Sequence, residues 1–477
     1  MFDKKQFDDD MGKVRNAQIN DIAEYLTDYI KLNASIRDMK IEYKMDGETL
    51  DKLIKMPIPR AGRDPKQVMD ELAEDVLQKS MILQHPRFFA FVTSAVSPYS
   101  LMASILTDIY NPHGGAYMET PGACIIEEKL ISWMGGLAGY PQEGCGGLFV
   151  SGGSMANMTA LIAARESRLN ENEYPIGVAY LSDQTHSSVA KGLRMIGLRK
   201  DQIVIIPTDE DYKMRMDLLE EKISSDLAEG KKPFVVIGSL GTTNTGSIDP
   251  LMDIGNICQK YGLWFHVDGA YGGSVLFSDI YRNYAKGVEL SDSLSWDTHK
   301  WALQIYSCSS LIVKNKDTLL NSFSQHPEYL EDIRCQEHND PWDMGPEMTR
   351  PHRSLKLWCT LQAMGTDLLA DVIDYSFYNA NVAKRELEKD SNWEITSKPM
   401  CGAITFRFAP KGYNEAQLDE INSMISKKII EDGYAFIVTT VLKGKRVLRL
   451  CLINGNTTTD DVIGTIDYLK KISHSLG

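Results

Sequence analysis

Trp264-Phe265-His266-Val267-Asp268-Gly269-Ala270-Tyr271 decides how the rest of the chain is read. Residues 264–267 form a short apolar run that ends on a carboxylate and then a glycine. That is the pattern of a buried strand whose C-terminal end opens into a loop. Similar runs flank it at 178–181, 203–206, 234–237 and 294–296. Stretches of helical periodicity fall between several of them, at 155–168, 187–196, 217–227 and 251–261. This alternation predicts an α/β fold, with a mostly parallel central sheet covered by helices on both faces. Ligands of such sheets sit beyond the carboxyl ends of the strands, so the residues just after each strand are where chemistry is expected.

Outside this region the texture changes. The first 92 residues read as a mostly helical, dimer-forming segment. Ile19, Ile22, Leu26, Tyr29 and Ile30 make an apolar stripe, and a turn-rich stretch follows at 56–62. Residues 93–369 form the large domain. From 370 to 477 the pattern is a small α+β domain, with strands at 403–408, 434–442 and 446–453 and helices at 415–431 and 459–472.

With 43 % hydrophobic and 24 % charged residues among 477, the chain has the make-up of a soluble globular protein with a large core. A net charge of -14 argues against nucleic acid and against an anionic membrane surface as partners. No window reaches the length of an apolar membrane span, and residues 1–10 lack the apolar segment of a secretory signal. The eight cysteines are scattered, without zinc-ligand spacing, so no metal is expected and reduced thiols in a cytoplasmic protein are.

Four post-strand motifs carry candidate chemistry. Asp268, at a strand end, could keep a pyridinium nitrogen protonated, although a capping or turn aspartate is the commoner explanation on this evidence alone. Ser151-Gly152-Gly153-Ser154 opens a helix whose N-terminus could take an anion, while Ser154 as an N-cap would explain the motif equally. Lys300 lies in Ser295-Trp296-Asp297-Thr298-His299-Lys300-Trp301. Flanking tryptophans predict poor exposure, and an apolar setting beside a cation would lower its pKa and make it a Schiff-base nucleophile. His186, in Ser182-Asp183-Gln184-Thr185-His186, could stack on a flat cofactor, or be incidental to a helix-capping loop. Each bland explanation suffices singly. The conjunction of an anion cradle, a stacking ring, a ring-nitrogen partner and a reactive amine is what a pyridoxal-phosphate (PLP) site requires.

At these residues the sequence resembles the group II PLP-dependent amino-acid decarboxylases, in particular the aromatic-L-amino-acid branch and bacterial tryptophan decarboxylases. The likeness runs from His85-Pro86-Arg87-Phe88-Phe89 to Arg353-Ser354-Leu355-Lys356-Leu357-Trp358 and beyond. It implies the fold type I (aspartate-aminotransferase-like) architecture. It also implies that Lys300 binds the cofactor aldehyde with His299 beside it, and that Asp268 pairs with the ring nitrogen. Ala270 and His186 would take opposite ring faces, Gly153 and Ser154 the phosphate, and Thr243 a further cofactor contact. Thr349 lies in the segment that completes the phosphate site of a partner subunit, which implies a homodimer.

Tyr329 matches the tyrosine that protonates Cα after carbon dioxide leaves, within a polar segment, 324–348, that fits a functional lid. Its retention together with His186 implies simple decarboxylation rather than oxidative aldehyde formation, the alternative on the same scaffold. Phe91, Val92, His113 and Trp342 are the candidate substrate residues, with Trp342 closing over an aromatic ring. The expected substrate is an aromatic L-amino acid, tryptophan ahead of phenylalanine and tyrosine. An acidic-substrate decarboxylase would need a basic residue near the segment 88–92, where only Arg87 stands in sequence. Thr93-Ser94-Ala95-Val96-Ser97 departs from the proline-containing stretch of animal members.

Overall fold

The structure is a computed structural model and describes residues 4–15, 27–28, 30–31, 36–41, 44–325 and 338–476. The chain divides into two compact units, Met1–Pro86 and Arg87–Gly477. The first contains the helices Lys4–Arg15, Gly47–Lys55 and Pro65–Glu71. Asp46 caps the second of these by accepting the Thr49 N–H at 2.8 Å, as a short acidic side chain does at a helix start. Ile19, Ile22, Leu26 and Tyr29 of the expected stripe lie outside the described residues, and Ile30 is exposed.

The second unit holds a seven-stranded sheet. Its strands are β1 (Gly146–Val150), β2 (Gly177–Ser182), β3 (Ile203–Ile206), β4 (Lys232–Ser239), β5 (Trp264–Asp268), β6 (Ser293–Trp296) and β7 (Ser309–Val313). They lie in the order β1-β7-β6-β5-β4-β2-β3, all neighbours parallel except β7, which runs against both β1 and β6. β2, β5 and β6 are buried along their whole length, as expected of strands covered on both faces. The helices α1 (Pro98–Tyr110), α2 (Pro121–Leu137), α3 (Gly153–Arg168), α4 (Ser187–Met195), α5 (Met216–Ala228) and α6 (Leu251–Tyr261) alternate with these strands or precede them. This is the α/β architecture expected from the alternation.

A long helix, α7 (Ser354–Glu388), leads to a four-stranded antiparallel sheet of order β10-β11-β9-β8. These strands are β8 (Trp393–Ile395), β9 (Ala403–Phe408), β10 (Thr439–Leu442) and β11 (Lys445–Cys451), packed with α8 (Glu415–Glu431) and α9 (Thr459–Leu476). The expected strand at 434–442 is shorter than its apolar run, because only residues 439–442 pair with β11. The boundary expected at 370 falls inside α7, which bends at Gly365 (φ +77°) and continues. The boundary expected after residue 92 falls earlier. Phe89 already belongs with the small sheet, donating its N–H to Phe436 O at 2.9 Å and accepting from Cys451 N at 3.0 Å. Among the described residues no helix is long and apolar enough to cross a membrane.

Candidate active site

The carboxyl ends of β1, β2, β4, β5 and β6 converge on one site. Asp268 closes β5 and is buried, with each oxygen occupied. Oδ2 accepts from Asn157 Nδ2 at 3.1 Å, and Oδ1 accepts from the Ala270 N–H at 3.1 Å and the Ser295 hydroxyl at 3.3 Å. Three donors fix the carboxylate in place at the strand end.

β6 runs out into a single helical turn, Thr298–Trp301, that carries Lys300. The turn is pinned by two fully buried indoles, Trp296 donating to Ser274 Oγ and Trp301 to Ser376 Oγ, each at 3.0 Å. Three residues apart on this turn, Lys300 Nζ meets Asp297 Oδ2 at 2.9 Å. The expectation of a lowered lysine pKa is corrected here. Burial does push Lys300 down, but the carboxylates of Asp297 and Asp268 outweigh it, and the amine lies above its ordinary value. His299 has its Nδ1 at 3.0 Å from Cys308 O and its Nε2 at 3.8 Å from Asp297 Oδ2, and burial lowers its pKa.

Beyond β1, Gly152 takes the N-cap position of α3 in extended backbone, and no side chain caps the helix. Ser154 is therefore not the cap; it sits exposed in the first turn. A Cβ on Gly153 would come within 2.7 Å of Asp297 Oδ2 and 3.0 Å of Ala270 Cβ, so the helix start approaches the floor too closely for any side chain. The result is an uncapped helix N-terminus, with its unpaired N–H groups and positive dipole end, directly beside Lys300's turn.

His186 follows β2 as the N-cap of α4 and is exposed. Its Nδ1 accepts the Ser188 N–H at 3.2 Å and lies 2.8 Å from Ser188 Oγ, which in the neutral ring leaves the proton on Nε2. The loop after β4 carries Thr243 and is tied to the His186 loop by Asn244 Nδ2 donating to Gln184 Oε1 at 3.3 Å. Arg449 of β11 is buried and donates to Asn244 O at 3.1 Å and Phe91 O at 2.6 Å. Its Nη2 has no hydrogen-bond partner. Phe91 itself is 51 % exposed on left-handed backbone (φ +55°), an outlier for a bulky side chain and a sign of local constraint. Val92 packs on the main core. Arg87, the basic residue noted in sequence, instead covers the Tyr434 ring at 4.5 Å.

His113, Trp342 and Thr349 join a second cluster. Trp342 lies in a buried 3-10 turn, Pro341–Met344, and donates its backbone N–H to Gly115 O at 3.1 Å, while its indole N–H has no hydrogen-bond partner. Its ring centroid is 6.1 Å from that of His113, which pairs with Glu119. Trp342 is thus buried within its own subunit. Thr349, next to the buried Arg350, is exposed. Tyr329 lies outside the described residues.

Three contributors escaped the sequence reading: Asp297, Asn157 and Arg449. Asp297 was detectable as an acid one helical turn before the lysine. Asn157 and Arg449 carried no local signal. Together the residues present fit PLP. They supply an amine, a fixed carboxylate at a strand end, an uncapped helix start that only glycine permits, and an orphaned buried oxygen, Asp297 Oδ1, at its edge.

Comparison with known proteins agrees with this fit. Residues 48–409 match the pyridoxal-dependent decarboxylase conserved domain. An aromatic-L-amino-acid decarboxylase of Bacillus atrophaeus is 33 % identical over 444 residues, 92 % of each chain. A phenylacetaldehyde synthase of Arabidopsis thaliana is 31 % identical over 451 residues, 92 % of this chain and 91 % of its own. The crystal structure of Oryza sativa TDC with PLP and tryptamine superposes with a TM-score of 0.90 at 26 % identity, covering 98 % of both chains.

Proposed function

The chain belongs to the pyridoxal-dependent decarboxylase family, and from that premise we propose that it decarboxylates an aromatic L-amino acid, tryptophan foremost, to the arylalkylamine and carbon dioxide. The observation that carries the chemistry is the juxtaposition of Lys300, Asp297 and the Gly153 helix start with Asp268 one strand away. The constrained, exposed Phe91 and the 33 % identity to an aromatic-L-amino-acid decarboxylase support the aromatic side chain.

PLP, when bound, supplies an aldehyde that captures amines and a ring that accepts the electron pair of a breaking bond. In this reading Lys300 would hold the cofactor aldehyde, with His299 beside it. The N–H groups of Gly153 and Ser154 hold the phosphate, with Thr243 as a further contact. Asp268 keeps the ring nitrogen protonated. His186 covers one ring face and Ala270 the other, and the Nε2–H of His186 is the donor available to the substrate carboxylate. The bond from Cα to the carboxylate breaks, and Tyr329 places a proton on Cα, to be replenished from water.

The active unit in this reading is a homodimer. Met102, Leu106, Ile109 and Tyr110 form an apolar stripe on α1 at helical spacing, yet all four are exposed. In this reading Thr349 completes the phosphate site of the partner. His113 and Trp342, which share Thr349's cluster, would then serve the partner's pocket rather than their own. A cytoplasmic location accords with the seven free cysteines among the described residues.

One observation favours a second reading. The buried guanidinium of Arg449, which holds Phe91 O through Nη1 and leaves Nη2 unpartnered, would suit a substrate whose side chain bears an acid. A panel of tryptophan, tyrosine, phenylalanine and glutamate, scored for amine, carbon dioxide and hydrogen peroxide, separates the readings. Equimolar amine and carbon dioxide from an aromatic substrate is the expected result. Turnover of glutamate alone, or peroxide equimolar with aldehyde, would overturn it.

A further inference from the structure

Asn157, in the second turn of α3, is fully buried and touches three separate parts of the site. The carboxylate of Asp268 can only accept, so the amide turns Nδ2 towards it and Oδ1 towards His266, and the other bonds follow that direction. Trp264 Nε1 can only donate, and it donates to Ser293 Oγ at 2.8 Å. The Ser293 hydroxyl lies 2.8 Å from His266 Nδ1 and can donate to it, which matches a neutral ring with its proton on Nε2. His266 Nε2 in turn donates to Asn157 Oδ1 at 3.0 Å. Asn157 Nδ2 donates to Asp268 Oδ2 at 3.1 Å and to Ser188 Oγ at 3.4 Å. The Ser188 hydroxyl then points at His186 Nδ1, at 2.8 Å.

We propose that Asn157, oriented by His266, is a positioning residue that sets the carboxylate of Asp268 and the imidazole of His186 together, through a hydrogen-bond relay with a single donor direction. This rests on the functional reading above, and it assigns work to two residues outside that reading. The relay starts on a residue of the buried sheet and ends on two groups that would face opposite needs. Asp268 must stay ionised, and His186 must present Nε2–H. One amide satisfies both, because its two hydrogens go to the two branches. His266 is suited to the task because burial drives its pKa down to about 4, against the opposing pull of Asp268, so it stays neutral. Lys300 and, through it, Asp297 are the charged groups on the facing turn, and Asp268 helps Asp297 to raise the lysine's pKa.

The test compares PLP affinity, and the pH dependence of the bound cofactor's visible absorption, in wild type, Asn157→Asp, Asn157→Leu and Ser188→Ala. Asn157→Asp keeps the shape and the His266 bond but loses both donors. At neutral pH its PLP affinity is expected to fall by about 10- to 100-fold, the weight of a hydrogen bond to a charged group. Affinity should return as pH drops, because a protonated carboxyl can again donate to Asp268. Asn157→Leu should lose the same affinity at every pH. Ser188→Ala cuts only the His186 branch and should lower kcat about tenfold while leaving the absorption profile in place. Thermal melts establish folding; should Asn157→Leu not fold, the isosteric Asn157→Asp carries the test. Wild-type affinity and absorption in Asn157→Asp, with wild-type protein binding PLP, would overturn the relay alone. Wild-type protein that binds no PLP would overturn the functional reading and the relay with it.

Discussion

Only the neutral amine of Lys300 can attack a carbonyl, and the carboxylate of Asp297 at 2.9 Å stabilises the ammonium instead. With the lysine pKa raised by Asp297 and Asp268, the rate at which cofactor-stripped protein takes up PLP should climb with pH. Asp297→Asn removes the nearer charge, so the midpoint of that climb should move down by at least about one pH unit, as expected for loss of an adjacent opposite charge. Stopped-flow reconstitution across pH measures this, and an unmoved midpoint would show that Asp297 does not control the amine. Tyr329→Phe tests the proton donor. PLP binding should persist while amine formation falls by about 100-fold or more, the usual weight of a positioned general acid. Undiminished amine output would remove Tyr329 from the reaction. At this scale Lys300 was legible because two tryptophans and a preceding strand marked it. The direction of its pKa shift was not, since the responsible Asp297 reads as an ordinary helix-start acid until the turn is built.

Elements rather than residues build the anion cradle. β1 delivers Gly152 in extended backbone, and α3 starts so close to Asp297 and Ala270 that residue 153 has room for hydrogen only. Gly153→Ala should therefore push the helix start away from Lys300's turn and weaken PLP binding by about tenfold or more, with little change in melting temperature. Gly152→Ala, whose Cβ meets nothing within 4 Å, should have the smaller effect. Equal PLP affinities in the two variants, measured by equilibrium titration, would contradict the close-approach argument. Most strands of the large sheet were readable as apolar runs separated by helical stretches. β7 was not, because it returns antiparallel from β6 without an intervening long helix, so the alternation that marks its neighbours is missing. The run at 434–442 misled in the other direction, since its first half pairs with Phe88 in a single parallel bridge and packs on the small-sheet core rather than continuing the strand along β11.

At the scale of the whole molecule, the second unit carries both sheets, and Arg449 reaches from the small one to Asn244 and Phe91 of the site. No sequence spacing announces such a contact, because the residues involved are hundreds of positions apart and meet only through topology. The α1 stripe tells the complementary story. Its periodicity looks like core, yet it faces outward, which is the mark of a surface meant to be covered. Ile109→Asp places a charge on that stripe and should weaken dimerisation by about 30-fold or more, as losing an interface anchor does. If the proposed homodimer forms, sedimentation equilibrium should find dimer for wild type and monomer for the variant, with weaker PLP binding if Thr349 serves the partner. A wild-type monomer that binds PLP fully would refute the shared site.

The central claim is that this constellation is a PLP site built on Lys300, and reductive trapping addresses it most directly. Borohydride treatment of the holoenzyme, followed by proteolysis and mass spectrometry, should find the phosphopyridoxyl group on the peptide containing Trp296, His299 and Lys300, attached to Lys300. Attachment to another lysine, or none at all, would contradict the account.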